Sequence, residues 1–367
     1  MSRDNSNYKF LFAGGGTGGH LFPAIAVAEE IKEMKPTAEI LFVGTKDKIE
    51  GRVIPKLGFA FKSIWIKGFY RKFDLRNLLF PLRLFVSIVQ SLIINFVYKP
   101  EVAIGSGGYA AGPAIWAAWI LGAKIILLEQ NSYPGITTRL LERYANEIHL
   151  SFQDSEKYLK RKSVHYLTGN PVRKNLGSNS KYDALKLFGL STEKKTLLVL
   201  GGSLGARSIN IAMKKNIKLI IENGIQIIWQ TGKNYYYDFK ELDSEMVRVK
   251  DFIEDMNAAY SACDLIVARA GATTIAEILV LGIPSVLVPS PNVAENHQYY
   301  NAKSLIDEDA AILIEDNKVA EGLSSIVIST ILSNEKLHKL KTKALSIAKP
   351  NAAKEIAESA VKFAETV

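Results

Sequence analysis

The chain of 367 residues is too long for one comfortable core, so two domains are expected. Its 48% hydrophobic and 23% charged content, without low-complexity tracts, excludes a disordered or fibrous protein. The net charge of +9 favours anionic partners, and the single cysteine, Cys263, excludes an internal disulfide and fits a reducing compartment. Cys263 precedes the apolar run Asp264 to Ala268, which points to a packed thiol rather than a reactive one. Met1 to Asn7 is polar and lacks the apolar core of a signal peptide, so a cytosolic chain is expected.

In chain order, apolar runs alternate with helical stretches. The first half has expected strands at Tyr8–Ala13, Glu39–Val43, Val102–Gly105, Lys124–Glu129 and Glu147–Ser151. The second has them at Thr196–Leu200, Gln226–Gln230, Val247–Asp251, Leu265–Ala268, Ser285–Val288 and Ala311–Ile314. Helical stretches such as Pro23–Lys35, Ser208–Glu222 and Thr274–Leu281 separate them. Continuous Val/Ile/Leu strands between helices mean parallel sheets covered on both faces, an α/β fold. Leu167-Thr168-Gly169-Asn170-Pro171 punctuates the halves as a hinge. Two such sheets facing across a cleft would put ligands at the carboxyl ends of their strands.

One stretch departs from the pattern. Leu75 to Val97 is long and apolar, but Arg76, Asn77, Arg83, Gln90 and Asn95 interrupt it and argue against a membrane span. Helical spacing of Leu82, Phe85, Val89, Leu92 and Phe96 predicts a core-facing stripe. Upstream, Lys62, Lys67, Arg71, Lys72, Arg76 and Arg83 mix with Trp65, Phe69, Tyr70, Phe73, Leu78, Leu79 and Phe80, against Asp74 alone. Basic and aromatic side chains together predict contact with an anionic membrane surface rather than nucleic acid.

Two glycine-built turns follow strands: Gly14-Gly15-Gly16-Thr17-Gly18-Gly19-His20 and Gly201-Gly202-Ser203-Leu204-Gly205-Ala206. Such a turn brings backbone close to a ligand and aims a helix start, with its unpaired N–H groups, at an anion. The first matches a dinucleotide fingerprint, but the second strand ends Val43-Gly44-Thr45-Lys46 without the ribose-binding acid. It also lacks the Gly-Lys-Ser/Thr of a P-loop. The second turn spells Gly-x-Ser-x-Gly, the nucleophile elbow of a hydrolase, for which Asp264 and His297 could be nominated. His20 sits at a helix start, where the partial positive charge favours the uncharged ring that accepts a proton. Ala270 to Glu277 opens a further helix; Thr273, Thr274 and backbone amides suit phosphate, and Glu277 suits a ribose diol. Asp307-Glu308-Asp309 reads as a solvated acidic turn, and no His/Cys cluster has metal spacing, so neither metal nor cofactor is expected.

Taken together in order, these motifs resemble the MurG family of glycosyltransferases. The likeness runs nearly end to end through Gly14–His20, Gly105-Ser106-Gly107-Gly108-Tyr109, Glu129-Gln130-Asn131, Gly169-Asn170-Pro171-Val172-Arg173, Gly201–Ala206, Asp251-Phe252-Ile253, Arg269–Glu277, His297-Gln298 and Asn301-Ala302. It implies a GT-B fold, two doubly wound Rossmann-like domains facing a cleft. The acceptor and membrane side would span 1–169 with the last helix, 351–367, returning to it; 170–350 would bind UDP-N-acetylglucosamine (UDP-GlcNAc). It implies metal-independent, inverting transfer of N-acetylglucosamine to the 4-hydroxyl of undecaprenyl-pyrophosphoryl-N-acetylmuramoyl-pentapeptide (lipid I). The chain would then sit peripherally on the cytoplasmic face of the plasma membrane. Alternatives are another UDP-sugar transferase or epimerase of the same fold, or a binding module without turnover.

By the same likeness, Thr17, Gly18, Gly19 and Asn131 face the donor sugar and phosphates, and Arg173 and Ser203 contact the nucleotide. Ile253 reads uracil through its backbone. Ala272, Thr273, Thr274, Ile275, Ala276 and Glu277 grip phosphate, sugar and ribose, and Gln298 recognises sugar hydroxyls. Glu295-Asn296 departs from the aspartates many relatives carry there. His20 is the first candidate for the general base and Glu129 the second. Gly14, Gly15, Gly16 and Tyr109 are expected on the acceptor side, the glycine loop receiving the acceptor's pyrophosphate.

Overall fold

A computed structural model describes residues 7–68, 78–160, 164–174, 176–202 and 204–366. The expectations placed on Phe69 to Asn77, and on Ser203, lie outside the described residues. The chain forms two compact units, 1–173 with 349–367, and 174–348.

In the first unit the elements are β1 (Lys9–Gly14), α1 (Gly18–Met34), β2 (Glu39–Gly44), α2 (Ile49–Lys56), β3 (Ala60–Ser63), α3 (Phe80–Tyr98), β4 (Val102–Gly107), α4 (Ala111–Ile120), β5 (Lys124–Glu129), α5 (Ile136–Leu141), β6 (Glu147–Leu150) and β7 (His165–Tyr166). The seven described strands are all parallel, in the order β3-β2-β1-β4-β5-β6-β7. Alternate residues of each strand enter two cores. Phe10, Phe12, Ile104 and Ile126 meet α1 on one face, and Leu11, Ala13, Ile125 and Leu127 meet α4 on the other. The second unit contains α6 (Lys181–Leu187), β8 (Thr196–Leu200), α7 (Arg207–Glu222), β9 (Gln226–Gln230), α8 (Tyr236–Phe239), β10 (Val247–Lys250), α9 (Met256–Ala262), β11 (Leu265–Ala268), α10 (Ala272–Leu281), β12 (Ser285–Leu287), α11 (His297–Ile306), β13 (Ile312–Leu313), α12 (Val319–Ile331) and α13 (Asn334–Ile347). Its six described strands, also parallel, run β10-β9-β8-β11-β12-β13. The last helix, α14 (Ala352–Thr366), belongs to the first unit. It buries Ile356, Ala357 and Ala360 in the core shared with α1, and its Ser359 hydroxyl donates to Glu147 of β6.

In both sheets the strand order reverses once, between β1 and β4 and between β8 and β11. A doubly wound sheet opens a crevice at that reversal, at the carboxyl ends of its strands. Both glycine turns lie there, directly after β1 and β8.

The core-facing stripe expected on α3 is overturned. Leu82, Phe85, Val89 and Phe96 are exposed, Phe85 and Phe96 by about two thirds, and Leu92 is half-buried. The buried line is instead Ser87, Ser91 and Asn95, four residues apart, toward the alanines of α4. The Asn95 amide donates to the Ser91 and Ala114 carbonyls at 2.9 and 3.3 Å. Small and short polar residues let two helix backbones approach closely, so the bulky apolar side chains are turned outward. Among the described residues α3 is the one helix long and apolar enough to cross a membrane, by length and composition only.

Candidate functional site

The first glycine turn is held from beneath by a residue that sequence patterning did not single out. Glu50, in the first turn of α2, is buried and accepts N–H bonds from Gly16 and Thr45, both at 2.9 Å, and the Thr45 hydroxyl at 2.6 Å. A Cβ on Gly15 would strike this carboxyl, which explains the glycine there. The Gly16 amide is therefore committed to an internal carboxyl group. Thr17 caps α1 without a side-chain bond, and no acidic residue lies in that helix's first turn, where Gly18, Gly19 and His20 sit.

His20 is half-buried, and its ring lies against the β4 turn: a Cβ on Gly107 would come within 2.8 Å of Nδ1. Ser106 is the extra residue of a bulge, since Ala13 pairs with Gly105 but Gly14 with Gly107. Tyr109, exposed at the end of this turn, packs its ring over Gly68. Glu129 ends β5 and is buried; its two oxygens accept the Asn131 and Gly135 N–H groups at 3.0 Å each. Burial pushes its carboxyl above the ordinary range, against the pull of the Thr138, Asn131 and Gly135 hydrogen bonds. Both oxygens thus shape the loop that carries Asn131. Arg173, at the end of the first unit's leading segment, stacks over Phe22 of α1 at 5.3 Å.

The second unit has a depression of about 710 Å³, lined by Gly201, Gly202, Leu204, Gly205 and Ala206 of the glycine turn, by Arg269 and Ser290, and by Gln298 of the expected site residues, among others. Two helices begin after neighbouring strands, α7 after β8 with Ala206, Arg207 and Ser208 in the lining, and α10 after β11, three residues beyond the lining residue Arg269. Neither has a side-chain cap or an acidic residue in its first turn, whereas α6, α9 and α13 are capped by Ser180, Asp255 and Ser333. Their leading N–H groups and partial positive charge suit an anion. The Thr273 hydroxyl, in the first turn of α10, is buried without a hydrogen-bond partner among the described residues. Thr274 and Ala276 are half-buried in this helix, and Ala272 and Ile275 face inward. Glu277, one turn further, is buried and accepts the Tyr260 hydroxyl at 2.7 Å. The Gln298 carbonyl oxygen accepts the Ser290 N–H at 2.9 Å, which turns its amide nitrogen away from that loop.

Two further braces escaped sequence reasoning. Gln230, closing β9, donates to the Gly202 carbonyl at 3.2 Å and accepts the Ile253 N–H at 2.8 Å, joining the glycine turn to the Ile253 segment. Arg269 is engaged with Asp316, with the Ser208 hydroxyl at 2.8 Å and with two carbonyls, so it braces the depression rather than reaching into it. A strand-terminal glutamine was the available signal for the first; the second has none within its own segment.

The nominated hydrolase acid fails on geometry. Asp264 accepts the Thr196 N–H at 2.9 Å and the Lys181 ammonium at 2.6 Å, at the entry to β8. The Gly-x-Ser-x-Gly turn lies at the other end of that strand, about 15 Å away for five residues. The Cys263 thiol is half-buried, and burial beside Asp264 pushes it up to about 12, an unreactive state at neutral pH. Asp307 pairs with Lys303 and Asp309 with Lys339 on an exposed turn.

Comparison with known proteins gives the family. The models of the glycosyltransferase family 28 N-terminal and C-terminal domains match residues 10–150 and 196–359. A Flavobacterium psychrophilum protein named UDP-N-acetylglucosamine–N-acetylmuramyl-(pentapeptide) pyrophosphoryl-undecaprenol N-acetylglucosamine transferase is 41% identical over 98% of both chains. The chain belongs to the MurG family. A Bacteroides thetaiotaomicron member with the same name is 42% identical, covering 97% of this chain and 98% of its own. The crystal structure of Acinetobacter baumannii MurG superposes with a TM-score of 0.77 at 27% identity, covering 97% of this chain and 99% of that one. An anthocyanidin 3-O-glucosyltransferase crystallised with UDP shares the fold, with a TM-score of 0.71 at 14% identity. These likenesses support two Rossmann-like domains of the GT-B type, as MurG-family members have.

Proposed function

We propose that the chain transfers N-acetylglucosamine from UDP-GlcNAc to the 4-hydroxyl of the N-acetylmuramoyl residue of lipid I, with inversion, producing lipid II for peptidoglycan. One observation carries the donor half: the uncapped start of α7 lines a depression at the strand reversal of the second unit, and the uncapped start of α10 follows three residues after Arg269, which lines it too. As the sugar leaves, negative charge collects on UDP, and fixed N–H groups there stabilise it without reorganisation. Thr273 would give that phosphate the partner its hydroxyl lacks. Glu277 would accept the ribose hydroxyls and the Gln298 amide nitrogen would meet the sugar. Because the Ile253 N–H already goes to Gln230, its carbonyl is the group left to meet the uracil imide. Ser203 keeps its assignment as a nucleotide contact, and Arg173 likewise.

The first unit takes the acceptor. Gly16 is committed to Glu50, so within the loop that receives the acceptor's pyrophosphate the amides of Thr17, Gly18 and Gly19, which also face the donor sugar and phosphates, are the ones at the uncapped start of α1. Glu129 has both oxygens occupied, which favours His20 as the general base, a role worth roughly 10²–10⁴ in rate. The outward face of α3, with Phe85, Ile93, Phe96 and Val97 exposed and Lys62, Lys67 and Lys99 exposed nearby in sequence, suits the surface of an anionic bilayer. With its opposite face packed through Ser87, Ser91 and Asn95, the helix would lie on the membrane, placing the chain peripherally on the cytoplasmic face. Single-turnover incubation with radiolabelled UDP-GlcNAc and a short-chain lipid I analogue tests the function. Label should move to the lipid product; release of free sugar or its epimer with no lipid product would contradict it.

A further inference from the structure

We propose that Gln130 is the positioning residue for His20, fixing which ring nitrogen carries the proton. This rests on the reading of His20 as the base. Gln130 follows β5 and is 2% exposed. Its amide nitrogen donates to the Leu128 carbonyl at 3.1 Å, and a carbonyl only accepts, so the amide orientation is set. The other end, Oε1, lies 3.0 Å from His20 Nδ1. A carbonyl oxygen facing Nδ1 requires a proton on Nδ1, and in the uncharged ring Nε2 is then the acceptor. Gly107 leaves space for the ring at this point. The titratable group interacting with His20 is Glu129, whose oxygens are held by Asn131 and Gly135, so the neutral Gln130 amide is the hydrogen-bonding partner of Nδ1. The chain Leu128 carbonyl, Gln130 amide, His20 ring therefore presents Nε2 as the site that takes the hydroxyl proton. A ring with the proton on Nε2 would have no lone pair to offer there.

The test uses histidine-labelled protein and long-range ¹H–¹⁵N correlation, with the His20 signals assigned by their absence in His20→Asn. The wild type should show the Nδ1–H tautomer. Gln130→Met, similar in size but without an acceptor, should populate the Nε2–H tautomer and lower kcat on the order of 10²-fold, with the UDP-GlcNAc KM changed less than about threefold. Gln130→Glu keeps an acceptor toward Nδ1, whether ionised or protonated, and should restore the Nδ1–H tautomer and most of kcat. A wild-type Nε2–H tautomer, or an unchanged tautomer in Gln130→Met, overturns the proposal. Wild-type turnover in His20→Asn would instead remove His20 as base, while the tautomer comparison still decides what Gln130 does.

Discussion

At the scale of single residues, the candidate site divides into groups proposed to meet ligand and groups that hold them. Glu277 combines both situations: a buried carboxylate in the second turn of α10, steadied by the Tyr260 hydroxyl. Replacing it with alanine should raise the UDP-GlcNAc KM about 10- to 100-fold, the equivalent of about 1.5–3 kcal/mol for hydrogen bonds to a charged acceptor. The KM for the lipid I analogue should stay nearly constant, and steady-state kinetics with each substrate varied in turn checks the split. An unchanged UDP-GlcNAc KM would remove Glu277 from the ribose role. The ligand-facing candidates were legible because their signals are local: a glycine turn, a helix start, an acid one turn inside it. The holding residues were not. Gln130 meets a partner 110 residues away, Glu50 one 34 away and Gln230 one 23 away, and beyond the strand-terminal place of Gln230 nothing within their own segments announces those bonds.

At the scale of elements, interior strands are continuous apolar runs, and β1, β5, β8, β9 and β11 fall where those runs do. The short strands β3 and β7, at one sheet's edges, carry too little apolar sequence to stand out. Helix starts were read late, at Pro23 and Thr274 instead of Gly18 and Ala272; α1 opens on two glycines, which are poor helix formers. The error on α3 has a clear cause. Periodicity shows that one helix face is apolar but not which face is buried, and here alanine, serine and asparagine make the packed seam. Combining Phe85→Ser, Phe96→Ser and Val97→Ser should weaken binding to anionic vesicles at low salt while moving the thermal midpoint by less than about 2 °C, as for other exposed positions. Unchanged vesicle binding would place the membrane surface elsewhere, and a collapse in thermal midpoint would mean the face is packed.

At the scale of the whole molecule, each unit repeats one device, a reversal of strand order with a glycine turn and an uncapped helix at its carboxyl edge. Alternation of strands and helices predicts parallel sheets, but strand order depends on which neighbours pair, which sequence spacing alone does not specify. The net charge of +9 fits a protein whose two substrates are both diphosphates and whose support is an acidic surface. If backbone N–H groups and helix ends in the second unit hold the UDP diphosphate without a bridging cation, UDP titrated calorimetrically into the full chain should bind with the same affinity, within about twofold, in EDTA, in magnesium and in manganese. Binding seen only when a divalent cation is supplied would contradict cation-free binding.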